Sequence, residues 1–231
     1  LTTTAGSQPP LEPHARRALE AVIELLATDP TAPSAVVDSE RAWRVHVADS
    51  LSGLGFEELS AARRICDIGS GAGFPGLVLA AARPHASVTL LEAASRKCEF
   101  MRRAVAAAGL ENAEVVGERA ETWASGAGAG AYDAATARAV GRLSTIAELA
   151  SPLLAEGGVL VAWKGRRDPG EEAELERAAP LLAMEPVEVR WVGPYAGSEN
   201  RHLHLIRKSG ATPPDLPRRP GVAKKRPRGS G

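Results

Sequence analysis

One stretch constrains the chain more than any other: Ile65-Cys66-Asp67-Ile68-Gly69-Ser70-Gly71-Ala72-Gly73-Phe74-Pro75-Gly76. An apolar run leads into four glycines and then into the helical spacing of Leu77–Ala82. Glycine has no Cβ, so such a loop can turn through positive φ and bring backbone amides close to a ligand. Residues 71–76 spell G-x-G-x-x-G, the fingerprint of a nucleotide-binding strand–loop–helix unit. By itself that spelling also fits a tight strand-to-helix turn with no ligand.

The pattern around the loop supplies its context. Short apolar runs at 65–68, 88–91, 114–116, 133–137 and 159–163 alternate with helical stretches at 77–82, 97–108 and 143–154. Strand–helix alternation of this kind predicts a parallel sheet covered on both faces. After a polar helix over 169–182, two more runs, 187–192 and 203–206, follow with no helix between them. A connection that short predicts an antiparallel pair. The expected fold is therefore α/β and doubly wound, mostly parallel with an antiparallel terminal pair.

Upstream, Ala15, Leu19, Val22 and Leu26 share one helical face, and Trp43, Val47, Leu51 and Leu54 another. The expected division is a flexible 1–10, a helical cap over 11–62, a sheet domain over 63–208 and a Pro-rich basic tail over 209–231. Trp43 is expected to be core.

Charge sharpens the view of that tail. The chain holds 28 basic and 28 acidic residues, yet residues 207–231 carry eight bases and one acid. An acidic body with a basic end can present cations to a polyanion. Cys66 and Cys98 are too few for a disulfide framework or a zinc site, so no metal is expected. No apolar run approaches a membrane span, and Leu1–Pro10 lacks the pattern of a signal peptide, so the expected compartment is the cytoplasm.

Two acids refine the ligand. Glu92 ends the second strand, where a carboxylate can meet a ribose in dinucleotide and S-adenosylmethionine binders alike. Asp67 ends the first strand. A pyrophosphate would be repelled there, whereas the cationic methionine end of S-adenosylmethionine would be favoured. Asp67 can also cap the loop or helix, a role compatible with facing a ligand, and Glu92 can cap the helix that follows.

The segment Asp67–Gly76 resembles the cofactor loop of the bacterial small-subunit ribosomal RNA guanine-N7 methyltransferases, also called the glucose-inhibited division protein B family. Supporting pieces are His46-Val47-Ala48-Asp49-Ser50-Leu51, Glu92 with Ser95-Arg96-Lys97, Arg119-Ala120-Glu121, Ala137-Arg138-Ala139, Trp163-Lys164-Gly165 and Arg201-His202-Leu203. Where the family usually has Asn-Leu-Thr, this chain has Ala32-Pro33-Ser34. The resemblance implies a class I methyltransferase fold, Rossmann-like, with S-adenosylmethionine as cofactor. It implies that Gly69 and Phe74 line the methionine and ribose end and that Ala120 and Glu121 contact the adenine. Gly71, Gly73, Asp67, Glu92 and Arg138 complete the expected cofactor set.

Guanine N7 carries a lone pair and no proton, so methylating it needs no general base. Orientation alone can supply much of the catalysis. Arg138 and Lys164, at the ends of the fourth and fifth strands, are expected to position the substrate. A guanidinium there suits guanine O6 or a phosphate, although Arg138 could instead pair with Glu148 at the surface. Arg201, His202, Arg218, Arg219, Lys224, Lys225 and Arg226 are the expected RNA-binding residues. The resemblance also suggests that part of Pro217–Val222 docks on the protein. His46 and Asp49, three apart on one helical face, are expected to brace the cap rather than catalyse. The expected partner is small-subunit ribosomal RNA or the subunit itself, and the expected state is a monomer. Two other functions compete: a nicotinamide-dependent dehydrogenase, and a non-catalytic RNA-binding assembly factor.

Overall fold

Continuous burial along the central strands, apolar on both faces, sets the architecture. In the computed structural model, which describes residues 11–36 and 38–230, one seven-stranded sheet organises the chain. Its strands are β1 (Arg64–Ile68), β2 (Ser87–Leu91), β3 (Ala113–Val116), β4 (Tyr132–Arg138), β5 (Leu154–Lys164), β6 (Met184–Val192) and β7 (Arg201–Lys208). They lie in the order β3-β2-β1-β4-β5-β7-β6. The first five are parallel, and β7 is antiparallel to both β5 and β6. The antiparallel end expected from the short 193–200 connection is present.

Successive residues of a strand face opposite sides, and this divides the core in two. Ile65, Val88, Leu90, Ala134, Val159, Val161 and Leu205 join one apolar cluster with α1 (Pro13–Thr28), α5 (Gly76–Ala82) and α6 (Ser95–Ala108). Cys66, Ile68, Ala135, Ala137, Leu160 and Ile206 join the other, with α7 (Ala120–Trp123), α8 (Leu143–Ala150) and α9 (Pro169–Ala178). Both cysteines are free and buried. The N-terminal helices share the first of these cores: Leu19, Val22 and Leu26 pack there with Val47, Leu51 and Leu59. The proposed flexible residues 1–10 lie outside the described residues.

Between α1 and the sheet the chain is helical but irregular. It runs through α2 (Ser39–Ala42), a π-helical Trp43–Ala48, α3 (Asp49–Leu51), a 3₁₀ turn at Ser52–Gly55 and α4 (Glu57–Ala61). A π segment widens the turn and often marks a functional position. Here it carries Val45 and His46. Trp43, expected in the core, is only half-buried, with the Arg16 guanidinium over its ring at 5.1 Å.

Two helices end earlier than the sequence reading has them. The helix expected over 143–154 ends at Ala150, and Leu154 already begins β5. Pro152 has no N–H to donate to Glu148 O, so the α-helical ladder stops there, and Leu154 instead pairs with Tyr132. The helix expected over 169–182 stops at Ala178 and tightens into 3₁₀ over Ala179–Leu182, where Pro180 cannot donate the next α-helical bond. Asp168 caps its start, accepting from the amides of Gly170 and Glu171.

Candidate functional site

The order of the parallel strands reverses between β1 and β4, and open α/β sheets bind ligands in the crevice beyond the strand ends at such a point. The glycine loop occupies that place. Gly69, Gly71 and Gly73 have φ of +67°, +62° and +93°. A Cβ on Gly73 would overlap the Leu77 side chain, whereas one on Gly71 would meet nothing nearer than Gly69 O at 3.8 Å. The loop is thus packed against α5 at Gly73 and open at Gly71.

Asp67 supports the loop from beneath. Its carboxylate is fully buried and accepts from Gly76 N at 3.1 Å and Thr136 Oγ1 at 2.8 Å. Asp67 thereby ties β1 to α5 and β4, the loop-capping role that the sequence also allowed. Burial raises its carboxyl to about 6, against the lowering effect of those bonds. Glu92 lies at the loop's other side. It accepts from Gly71 N at 3.2 Å and Ala94 N at 2.9 Å, with Lys97 Nζ 3.6 Å away.

A cavity of about 210 Å³ opens beside these groups, lined by Gly69, Glu92, Ala120, Glu121, Val140 and Lys224 among others. It collects residues expected at the ribose and adenine ends. A roomier groove of about 540 Å³ runs between α1 and α2 past Trp43, but none of its lining residues belongs to the loop or to a strand end.

On the other flank of the loop, Phe74 stacks on His46, ring centroids 4.5 Å apart and nearly parallel. The Arg138 guanidinium lies 5.7 Å over the same Phe74 ring. Arg138 Nη1 donates to Val45 O at 3.1 Å and Asp49 Oδ2 at 3.0 Å, and its Nη2 is 3.1 Å from His46 Nδ1. Arginine only donates, so His46 Nδ1 accepts and its ring proton sits on Nε2, 3.3 Å from Ser34 Oγ. Burial, helped by the Arg138 charge, lowers the His46 ring to about 4. It is neutral at physiological pH. Asp49 is fully buried, and its second oxygen lies 3.5 Å from Arg201 Nε.

The sequence reading placed Arg138 correctly at a strand end but offered the wrong partner. Glu148 is bound instead by Arg218, whose Nε donates to Oε1 at 2.5 Å. It also under-read His46 and Asp49: they brace the cap, and they do so by holding Arg138. The signal was the His-x-x-Asp spacing on one face of a helix preceding the sheet. Lys164, expected to meet substrate, is turned to Glu171 Oε1 at 2.6 Å and Gly141 O at 3.0 Å. His202 Nδ1 sits 3.1 Å from Gly165 O. Arg219, Lys224, Lys225 and Arg226 are exposed.

The family described as "GidB: rRNA small subunit methyltransferase G" matches residues 32–203 of this sequence. The chain belongs to that family. Ribosomal RNA small subunit methyltransferase G of Moorella thermoacetica is 38% identical over 198 residues, covering 84% of this chain and 81% of the relative. The protein of the same name from Thermotoga neapolitana is 39% identical, covering 87% and 86%. Among solved structures, a cofactor-bound protein from MTB matches with a TM-score of 0.55 at 20% identity, covering 87% of this chain and 91% of that one. A SAM-dependent O-methyltransferase of Thermotoga maritima matches with a TM-score of 0.55 at 17% identity, covering 78% and 73%. At such identities the likeness bears on the fold, which is that of the class I methyltransferases. The GidB-family match spans the glycine loop, the His46/Asp49 helix, Arg138 and the start of β7, so every group around Phe74 falls inside it.

Proposed function

We propose that the protein transfers a methyl group from S-adenosylmethionine to N7 of a guanine in small-subunit ribosomal RNA. The observation that carries this reading is the arrangement around Phe74: a guanidinium fixed at the end of β4 beside a glycine loop, with the neighbouring histidine neutral and already engaged.

The residues present fit the cofactor. The loop is open at Gly71, Glu92 offers a carboxylate beside that opening, and the adjoining cavity is lined by Ala120 and Glu121. Gly69, Gly71, Gly73 and Phe74 would hold the methionine and ribose end, and Ala120 and Glu121 the adenine. S-adenosylmethionine supplies an electrophilic methyl on a sulfonium. The protein's task is then to aim the base and to keep water out of line.

Arg138 does the aiming. Three bonds to Val45 O, Asp49 and His46 fix its plane, so little rotamer freedom remains to be lost when a base arrives. Its remaining donor capacity suits O6, next to N7 on guanine. His46 acts as an acceptor for Arg138 rather than as a base, and N7 asks for none. Arg201 on β7, with Arg219, Lys225 and Arg226, supplies cations to the RNA phosphates, and His202 beside it offers a ring nitrogen to the RNA. Phosphate contacts of this type position the protein without reading sequence. Small-subunit RNA or the subunit is the partner, and the protein acts as a monomer in the cytoplasm. Among the described residues no helix is long and apolar enough to cross a membrane, and no His/Cys/Asp/Glu group is arranged to hold a metal.

Calorimetry with S-adenosylhomocysteine and with NAD tests the cofactor, and transfer of labelled methyl to small-subunit RNA tests the substrate. Binding of NAD in place of S-adenosylhomocysteine would return the dehydrogenase reading. Cofactor binding without transfer to RNA or subunit would contradict the methyltransferase.

A further inference from the structure

The basic C-terminal segment does not extend from the body. After β7 it folds back across α8, burying Leu216 and Ala223. Arg218 sets both Nε and Nη2 on the Glu148 carboxylate, which is buried in α8. Thr145 Oγ1 donates to Ala223 O at 3.3 Å. Gly221, at φ +81°, donates its N–H to Glu121 Oε1 at 2.7 Å. Gly221 and Lys224 then line the same cavity as Gly69, Glu92 and Ala120.

These contacts converge on one residue. Glu121 is 8% exposed, and Gly221 N–H is the donor its carboxylate accepts from among the described residues. Without that donor a nearly buried carboxylate would be left unsatisfied and free to turn. With it, one oxygen is fixed and the other is left for a ligand. An adenine presents an exocyclic amine, a donor suited to a carboxylate oxygen.

We propose that residues 216–226 form a wall of the cofactor cavity, and that Gly221 positions Glu121 to receive the adenine end of the cofactor. Arg218 is the latch that holds this wall to α8. The segment and the cofactor therefore favour each other's placement, since coupling between two sites is reciprocal. This rests on S-adenosylmethionine being the cofactor. It also changes what the tail is for: Arg218 and Lys224, expected on the RNA, face α8 and the cavity, leaving Arg219, Lys225 and Arg226 for phosphates.

The test uses S-adenosylhomocysteine as probe. Affinity is measured by calorimetry on the full chain, on a chain ending at Ser209, and on Arg218→Gln. The full chain is also digested with trypsin, with and without the probe, reading cleavage after Lys224 and Lys225. The expected result is binding by the full chain, affinity about tenfold weaker in both variants, within the usual range of site coupling, and slower cleavage at Lys224 and Lys225 when the probe is bound. Should the shortened chain unfold, the protection measured on the intact chain decides. Equal affinities together with unchanged cleavage would overturn the wall and leave the cofactor assignment standing. Failure of the full chain to bind the probe would remove both.

Discussion

Arg138 Nη1 lies 3.0 Å from Asp49 Oδ2, joining the end of β4 to the helical segment before β1 across 89 residues of sequence. Asp49 is fully buried, and the Arg138 side chain is 14% exposed. A buried ion pair of this kind contributes little net stability, but breaking it leaves a charge without its partner. Arg138→Ala is therefore expected to lose about 3 kcal/mol of stability as well as activity. Asp49→Asn keeps a group that can accept from Arg138. It should melt close to wild type and lose kcat/KM for RNA more than it loses stability, because it holds Arg138 with less force. Chemical denaturation and methyl transfer on both variants check this. Unchanged activity in both variants while folded would show that the pair only holds the fold.

The pH dependence of stability follows from Asp67. Burial raises its carboxyl from 3.8 to about 6. Between about pH 4 and 6 the folded protein keeps a proton that the unfolded chain has released. This group's contribution is thus fully favourable below about 4 and is lost as pH rises through about 6. His46 and His204 act in the opposite sense, since burial lowers both from 6.5 to about 4 and their contribution is lost as pH falls through that window. The difference between wild type and Asp67→Asn isolates the aspartate. The variant should be more stable at pH 7.5, by about 3 kcal/mol at most, and the gain should vanish near pH 4. An Asp67→Asn protein less stable than wild type at pH 7.5 would show that the charged form is the favoured one.

Two glycines of the loop should separate strain from packing. Gly71 has φ +62° with open space where a Cβ would stand, so Gly71→Ala should cost about 1–2 kcal/mol for the left-handed backbone and still fold. Gly71→Val should fold as well and lose S-adenosylhomocysteine affinity, because its branched side chain fills the ligand's side of the loop. At Gly73 the Cβ would overlap Leu77, so Gly73→Ala should lose more stability than Gly71→Ala. The melting temperatures of the two alanine variants and calorimetry on Gly71→Val check this. A Gly71→Val protein that binds like wild type would move the ligand elsewhere.

What the sequence made legible was local. The loop between β1 and α5 could be read because glycine is strongly favoured where φ is positive, as it is at Gly69, Gly71 and Gly73. The sheet could be read because its strands, buried on both faces, are short continuous apolar runs between helical stretches. The Arg138 partners could not, since nothing local links residue 138 to Val45, His46 and Asp49, and Glu148 stood closer in the chain. The docking of the tail was legible only through the family resemblance of Pro217–Val222, for a related reason. Its docking rests on Leu216, Ala223 and the Arg218 fork, too few apolar positions to show a period, while its charge suggested a free arm. The strand-end position of Asp67 is visible in sequence, whereas the burial of its side chain is not.

The identity of the methylated atom tests the account most directly. Small-subunit RNA incubated with the protein and S-adenosylmethionine should carry one new methyl group on a guanine. Mass analysis of the nucleosides should identify N7-methylguanosine, and the chain should break at that nucleotide after borohydride reduction and aniline treatment, because N7 methylation weakens the ring. Arg138→Ala should abolish the break. A methyl found on an exocyclic amine, a ribose oxygen or a cytosine would contradict a site built to orient the base without a general base.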